Sequence, residues 1–398
     1  MRISTAEIFG NGIGSINDRQ GELSRVQQQL ATGRRMLTPS DDPSGAVQAL
    51  KFRERIAAVE QFARNASLGS NRLEQEETVL AQMSDAVSRV RELTLQAANA
   101  TQSNESRAAI AREIRQVTAG LMDAANSRDA NGEYLFAGNR TGSRPFVQNA
   151  SGAIEYLGDA AQRRIALSPD RSVAVGDSGE IFMNLPQGNG RFSVTPAADN
   201  SGTGRVVGAE IIDPTAIDGS TFRIEITAEG GYEVYDAADD LVASGPVATD
   251  QAIDIGGRRI LLEGSPAPGD RFEVAPAGRV SLFDAVDAIA AALEQPRNGP
   301  AQRAQLQHGI DRGLENLDQA LSRLLEVRTG VGARLNTIDS QGIVNDDQKL
   351  QLQTLLSSIE DLDFAEAISR FNLQQVALQA AQQTYVQLGR LSLFDFLR

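Results

Sequence analysis

Apolar residues recur every seven positions in both ends of the chain and alternate with polar ones in its middle. After Phe52, the positions Val59, Ala66, Leu73, Leu80, Val87 and Thr94 follow at that spacing, and Phe62, Gly69, Glu76, Met83, Val90 and Ala97 sit three residues after the members from Val59 onward. Such a stripe predicts one helix facing a partner along its whole length, roughly 80 Å at ~1.5 Å per residue. A shorter helix before it carries Ile13, Ile16, Leu23 and Leu30, with Gln20 and Gln27 in the intervening slots. The run from Thr38 to Gly45, rich in Pro, Ser and Asp, predicts a turn between the two. A polar turn over residues 99–105 ends the long helix, and a returning helix carries Ile110, Ile114, Val117, Leu121 and Ala124.

The last third repeats the theme. Ser281, with Asp284 three residues on, reads as a helix cap. Pro296, Gly299 and Pro300 punctuate the chain, after which Ile310, Leu314, Leu317, Leu321, Leu324, Val331, Leu335 and Ile338 hold the heptad with Arg328 as a break. A turn is expected around residues 340–347. A final helix carries Leu352, Leu355, Ile359 and Leu362, shifts phase near Phe364, and continues through Ile368, Phe371, Leu378 and Tyr385. A phase shift marks a junction between two packing environments.

In the middle, residues 222–227 and 232–235 alternate cleanly around Gly230-Gly231, a hairpin signal, and residues 254–262 and 269–274 suggest further strands. A separate hairpin is expected around residues 154–167. The fold class that follows is α+β: a long antiparallel helical coiled coil or bundle formed by the N- and C-terminal segments, with a β-rich inserted middle domain. The expected divisions are residues 1–44, an inner helical arm and turn; 45–180, long helices with an adjoining hairpin; 181–280, the inserted outer domain; 281–362, returning helices; and 363–398, a C-terminal inner arm.

Composition narrows the chemistry. There is no Cys, no Trp and one His, His308, so disulfides, thiolate nucleophiles and multi-His metal sites within one chain are excluded. The 38 basic against 52 acidic residues give a net charge of −14, which argues against a nucleic-acid partner. No apolar run has membrane-spanning length, and the first ten residues do not read as a cleaved secretory signal. The glycines at 10, 12 and 14 look like a phosphate loop, but no strand precedes them, and a flexible N-terminal segment is expected. Gly202, Gly204 and Gly208 read as turn residues. Asp236, Asp239 and Asp240 read as a solvated hairpin tip without the ligand spacing of a Ca²⁺ loop. His308 is expected on a solvated or interface face of its helix. No catalytic, cofactor-binding or metal-binding residue is expected, and no cofactor.

Three segments carry a resemblance. Residues 30–43, LATGRRMLTPSDDP, are similar to the turn joining the first two helices of the bacterial flagellin superfamily. Residues 89–99, RVRELTLQAAN, resemble that superfamily's second-helix signature, and the stretch from Ile359 to Phe394 resembles its C-terminal helix. Ala125-Asn126 followed by GEYLFAG at 132–138, with the ending LFDFL at 393–397, is closer to the members at the hook–filament junction than to filament-forming flagellins.

The resemblance implies a structural subunit of the bacterial flagellum, forming a layer between hook and filament, with a filament-forming flagellin as the alternative and an enzymatic or adhesive insert as a lesser one. It implies that the terminal helices pair through Ile13, Ile16, Leu23 and Leu30 on one side and Leu378, Tyr385, Leu388, Leu391, Phe394 and Phe396 on the other. Short arms of this kind are expected to order on assembly. Implied partners are further copies of the chain, a neighbouring hook-associated protein, flagellin subunits and an export chaperone on the C-terminal helical region. The implied location is extracellular, reached by type III export of the unfolded chain without a cleaved signal peptide. Zero Cys suits that route.

Overall fold

The computed structural model describes residues 5–150, 152–228, 230–246, 251–295 and 297–396. The chain divides into two compact units, one of residues 1–64 with 341–398 and one of residues 65–340. Helices α1 (Thr5–Thr32), α2 (Pro43–Ala98) and α3 (Asn104–Ala125) come first. Ser103 caps α3 by accepting the Ser106 N–H at 3.1 Å. The heptad stripe holds: Val59, Ala66, Leu73, Leu80, Val87 and Thr94 are all buried, while Phe62 of the companion series is half-buried.

In the unit of residues 65–340, one core joins Leu73, Leu80, Met83, Val87 and Val90 of α2 to Ile114 and Leu121 of α3. Strands β1 (Phe146–Gln148) and β2 (Ile154–Tyr156) form one hairpin, β3 (Arg164–Ser168) and β4 (Arg171–Ala174) another. The single hairpin expected over 154–167 is thus two hairpins out of step with it. The expected span holds the second strand of one and the first of the other, and strands of three to five residues leave too little alternation to set a register.

Gly69 leaves room on α2 for Ile165 and Val175 to seat against the helix. Asn126 ends α3 by exchanging two hydrogen bonds with the Phe146 backbone, at 3.1 and 3.0 Å. The GEYLFAG segment then buries Phe136 edge-on to Phe182, with Phe146 packed against Phe182, Tyr156 and Phe283.

A helical turn, α4 (Glu180–Met183), leads to β5 (Leu185–Pro186) and into the inserted sheets. These contain β6 (Phe192–Pro196), β7 (Arg205–Ile211), β8 (Phe222–Ile226), β9 (Gly231–Asp236), β10 (Leu241–Pro246), β11 (Gln251–Ile255), β12 (Arg258–Glu263) and β13 (Arg271–Pro276). One sheet runs β10-β9-β8-β13-β6 and the other β11-β12-β7, all antiparallel. Their inward residues, among them Phe192, Ile224, Val234, Ile260 and Phe272, form a second core. The β8–β9 hairpin turns at Gly230 (φ +77°), and the β11–β12 hairpin turns at Gly256 and Gly257 (φ +52° and +75°), where the left-handed backbone favours glycine. Arg258 is wholly buried, its guanidinium 5.2 Å from the Phe222 ring centre, and it donates to the carbonyls of Gly256 and Ser220.

After β14 (Arg279–Val280), which pairs with β5, come α5 (Leu282–Glu294), α6 (Pro300–Glu360) and α7 (Phe364–Phe396). Ser281 caps α5 through the Asp284 N–H at 2.9 Å. α5 packs on α3, and Ile310, Leu317, Leu324 and Val331 of α6 belong to the first core. The turn expected over residues 340–347 is instead continuous helix. Asn345 and Gln341 are buried and bonded to each other at 3.1 Å, and Ser340 donates to the Asn336 carbonyl at 2.7 Å, so these polar side chains are satisfied within the helix.

Candidate assembly site

The unit of residues 1–64 with 341–398 holds the residues expected to pair. α1 packs against α7. Ile16, Leu23 and Leu30 are partly buried, as are Leu378 and Tyr385. Gly12 lies under Tyr385, whose Cδ2 is 3.1 Å from where a Cβ on Gly12 would stand. Ile13 is 47% exposed and lies outside that buried set. A straight helix drifts from a seven-residue repeat, so the buried line passes through Gly12, Ile16, Leu23 and Val26. Val26 and Gln29 are the most buried of the described α1 side chains, and Ala367 of α7 is fully buried. Sequence reasoning missed all three, although counting steps of three and four from Ile16 reaches Val26. The segment of glycines 10, 12 and 14, expected to be flexible, is part of α1. Leu388, Leu391, Phe394 and Phe396 lie on the α7 backbone, and their side chains lie outside the described residues.

The turn after α1 and the break before α7 are hydrogen-bonded to each other. The Arg35 N–H donates to the Glu360 carbonyl at 2.7 Å, and the Leu362 N–H donates to the Gly33 carbonyl at 3.0 Å. Gly33 takes φ +67°, with the Phe364 ring 3.6 Å from its would-be Cβ. The phase shift near Phe364 is therefore a true helix break, over residues 361–363.

Two aspartates hold the turn. Asp41 accepts the Thr38 and Leu37 N–H groups at 2.9 and 3.0 Å, and these bonds, Thr38 foremost, lower its carboxyl below the usual range. Asp42 caps α2 by accepting the Gly45 N–H at 2.9 Å, with Pro43 at the first helical position, and that bond likewise lowers its carboxyl. Arg53 pairs with Glu360 at 2.5 Å and Lys349 with Glu60 at 2.9 Å, and Lys349 draws the Glu60 carboxyl down.

Several large apolar side chains of this unit are exposed on its helices. Leu373 is 69% exposed, Val376 and Ile343 65%, Leu350 64% and Ile368 50%. A groove of about 540 Å³ beside the turn is lined by Met36, Leu37, Pro39, Pro43, Val47 and Leu50.

The other candidates disperse. Asp236 turns its carboxylate onto the Ala238 and Asp240 N–H groups, and Asp239 pairs with Arg223 at 2.7 Å. Asp270 gathers the Gly202 turn by accepting the N–H groups of Ser201 at 2.7 Å and Ala267 at 2.8 Å. His308, expected on a solvated or interface face, is partly buried. Among the described residues neither ring nitrogen has a hydrogen-bond partner, and burial, aided by Arg312, pushes it down to about 4. Glu76, a member of the α2 stripe, is 1% exposed. It accepts the Asp177 N–H at 3.0 Å, and burial, reinforced by the Asp177 charge, raises it to about 8, while Arg334 beside Asp177 opposes that rise.

Among the described residues no group of acidic or His side chains could hold a metal ion, and no helix is long and apolar enough to cross a membrane.

Residues 3–141 match the bacterial flagellin N-terminal helical region, and residues 314–397 the flagellin C-terminal helical region. The chain is 25% identical over 396 residues to flagellar hook-associated protein 3 of Escherichia coli (strain K12), covering 99% of each. It is similar to the crystal structure of FlgL from Xanthomonas campestris, with 33% identity and a TM-score of 0.73, over 77% of this chain and 99% of that one. A crystal structure of the flagellar junction protein FlgL from Legionella pneumophila matches with 30% identity and a TM-score of 0.67, over 72% of this chain and 98% of that one.

Proposed function

The chain belongs to the flagellar hook-associated protein 3 family, and on that premise we propose that it is a structural subunit of the bacterial flagellum at the junction of hook and filament, held in place by its paired terminal helices. The observation that supports this reading is the exposed apolar surface of α7 and the ends of α2 and α6, which leaves Leu373, Val376, Ile343 and Leu350 in water until neighbours cover them. Those neighbours are copies of the same chain in a ring or layer, with hook-associated and flagellin subunits above and below it. Before assembly, a chaperone on the C-terminal helices would shield the same surface. The work done is assembly rather than catalysis, in an extracellular appendage. The inserted sheets serve as an outer surface.

Gene deletion tests the role. Cells lacking the protein should secrete filament subunits that fail to attach, and the wild-type gene should restore filaments. A copy carrying Leu373→Asp and Val376→Asp should be secreted yet fail to restore them. Normal filaments in the deletion strain would overturn the junction role, and full rescue by the double variant would overturn the assigned surface.

A further inference from the structure

Asn-Gly dipeptides are the positions at which an asparagine side chain most readily reacts with its own backbone, because glycine leaves the following nitrogen unhindered and flexible. The chain has four: Asn11-Gly12, Asn131-Gly132, Asn189-Gly190 and Asn298-Gly299. The reaction needs a mobile side chain and a following N–H free to lose its proton, and three of the four sites are held.

Asn11 and Gly12 lie within α1, whose ladder fixes the backbone. At Asn131 the Gly132 N–H donates to the Asp129 carbonyl at 2.9 Å, while Asp129 also binds the Asn131 N–H at 2.9 Å. Asn189 is pinned at both ends of its amide: Nδ2 donates to the Ala209 carbonyl at 2.9 Å, and Oδ1 accepts the Arg191 and Phe192 N–H groups. The Gly190 N–H is itself bonded to the Gln187 carbonyl at 3.0 Å.

Asn298 differs in each respect. It is exposed on the segment between α5 and α6. Its own N–H is fixed by the Gln302 side chain at 2.8 Å, yet among the described residues its amide side chain and the Gly299 N–H have no hydrogen-bond partner. Beyond its two chain neighbours, no atom lies within 4 Å of where a Gly299 Cβ would stand.

We propose that Asn298 is a site of spontaneous covalent modification, deamidating through attack of the Gly299 backbone nitrogen. The Gly299 nitrogen loses its proton and bonds to Cγ of Asn298, and the bond from Cγ to Nδ2 breaks. The nitrogen leaves as ammonia, carrying the proton, and a five-membered imide remains. Water then adds to one of the two imide carbonyls and reopens the ring. Opening at one leaves aspartate; opening at the other leaves isoaspartate, with the chain running through the side chain. No oxidant or cofactor is needed. Either product puts a negative charge beside the N-terminus of the 61-residue helix α6, where the aligned backbone dipoles favour it.

Ageing the purified full-length protein in mildly alkaline buffer, followed by tryptic peptide mass analysis, tests this. Cleavage after Arg297 and Arg303 isolates residues 298–303. That peptide should gain about one dalton, and isoaspartyl methyltransferase should label it. Conversion should be roughly tenfold faster than at Asn131 or Asn189, the factor that breaking one or two retaining hydrogen bonds imposes. Gly299→Ala should slow conversion at Asn298 and Asn298→Ser should abolish it, both with unchanged circular dichroism. An unmodified 298–303 peptide, equal or faster conversion at Asn131 or Asn189, or a Gly299→Ala variant that converts as fast as wild type would overturn the proposal.

Discussion

Tyr385 rests on Gly12: a Cβ there would come within 3.1 Å of ring atom Cδ2. The α1–α7 seam is thus set by a ring on a bare backbone near its outer end. Gly12→Val should push the ring off and weaken pairing, although a helical glycine otherwise costs about 1 kcal/mol relative to alanine. Amide exchange reads the outcome. The variant should lose protection in α1 before Val26 and in α7 after Leu378, with the segment from Gln29 to Gly33 unchanged. Equal protection in variant and wild type would show that Tyr385 does not hold the seam.

Glu76 makes stability fall as pH rises. Folding raises its carboxyl from 4.5 to about 8, so between those values the native chain keeps a proton that the unfolded chain has released. Stability then declines across that window, by on the order of 5 kcal/mol if Glu76 acts alone. Asp177 and Arg334 are the charged groups that face it. Glu76→Gln keeps the acceptor for the Asp177 N–H and cannot ionise. Chemical denaturation at a series of pH values should show the variant gaining on wild type from pH 4.5 to 8, and a constant difference would refute the buried proton.

His308 has the opposite slope. Burial depresses it from 6.5 to about 4, so between those values the unfolded chain takes up a proton that the native chain refuses. Stability falls as pH drops through that window, by about 3 kcal/mol. His308→Leu should remove this loss and, by deleting two unpartnered nitrogens, cost little at neutral pH. Where the two windows overlap, from 4.5 to 6.5, the Glu76 and His308 effects offset each other, so each single variant should expose the slope of the residue left in place.

Asp270→Ala should loosen the inserted sheets locally. Asp270 is 2% exposed, and its carboxylate accepts backbone N–H groups from Ser201, Gly202 and Ala267, all three of which lose their acceptor in the variant. A loss of about 3 kcal/mol is expected, seen as faster amide exchange at residues 201–203 and 267. Retained protection there would mean that water or a neighbour replaces the carboxylate.

How far the sequence could be read depended on repeat length. The stripe from Val59 to Thr94 spans many turns, so small errors of phase average out, and its seven-residue series is buried throughout. Ile13 belongs to a stripe of four residues, too short to separate a period of 3.5 from 3.6, and it lies outside the buried seam. The hairpins near residues 146–174 pair over a few residues each, and the first also packs Phe146 against Phe182 of a later segment, a contact that local alternation does not reveal. Residues 340–347 look like a turn by composition, but they run on as α6, with Gln341 and Asn345 bonded to each other one turn apart. Glu76 and His308 could be located on their helices by spacing alone, whereas their altered acidity arises from burial and from partners such as Asp177, 101 positions away from Glu76.

The paired bonds between Gly33 and Leu362 and between Arg35 and Glu360 make one elbow of two chain segments more than 300 residues apart. Neither arm can swing without dragging the other, so pull on one terminus is divided between two backbones. A tag or strain placed on the first helix should therefore be felt at the last, and a break in either strand of the elbow would leave the remaining one to carry the whole load.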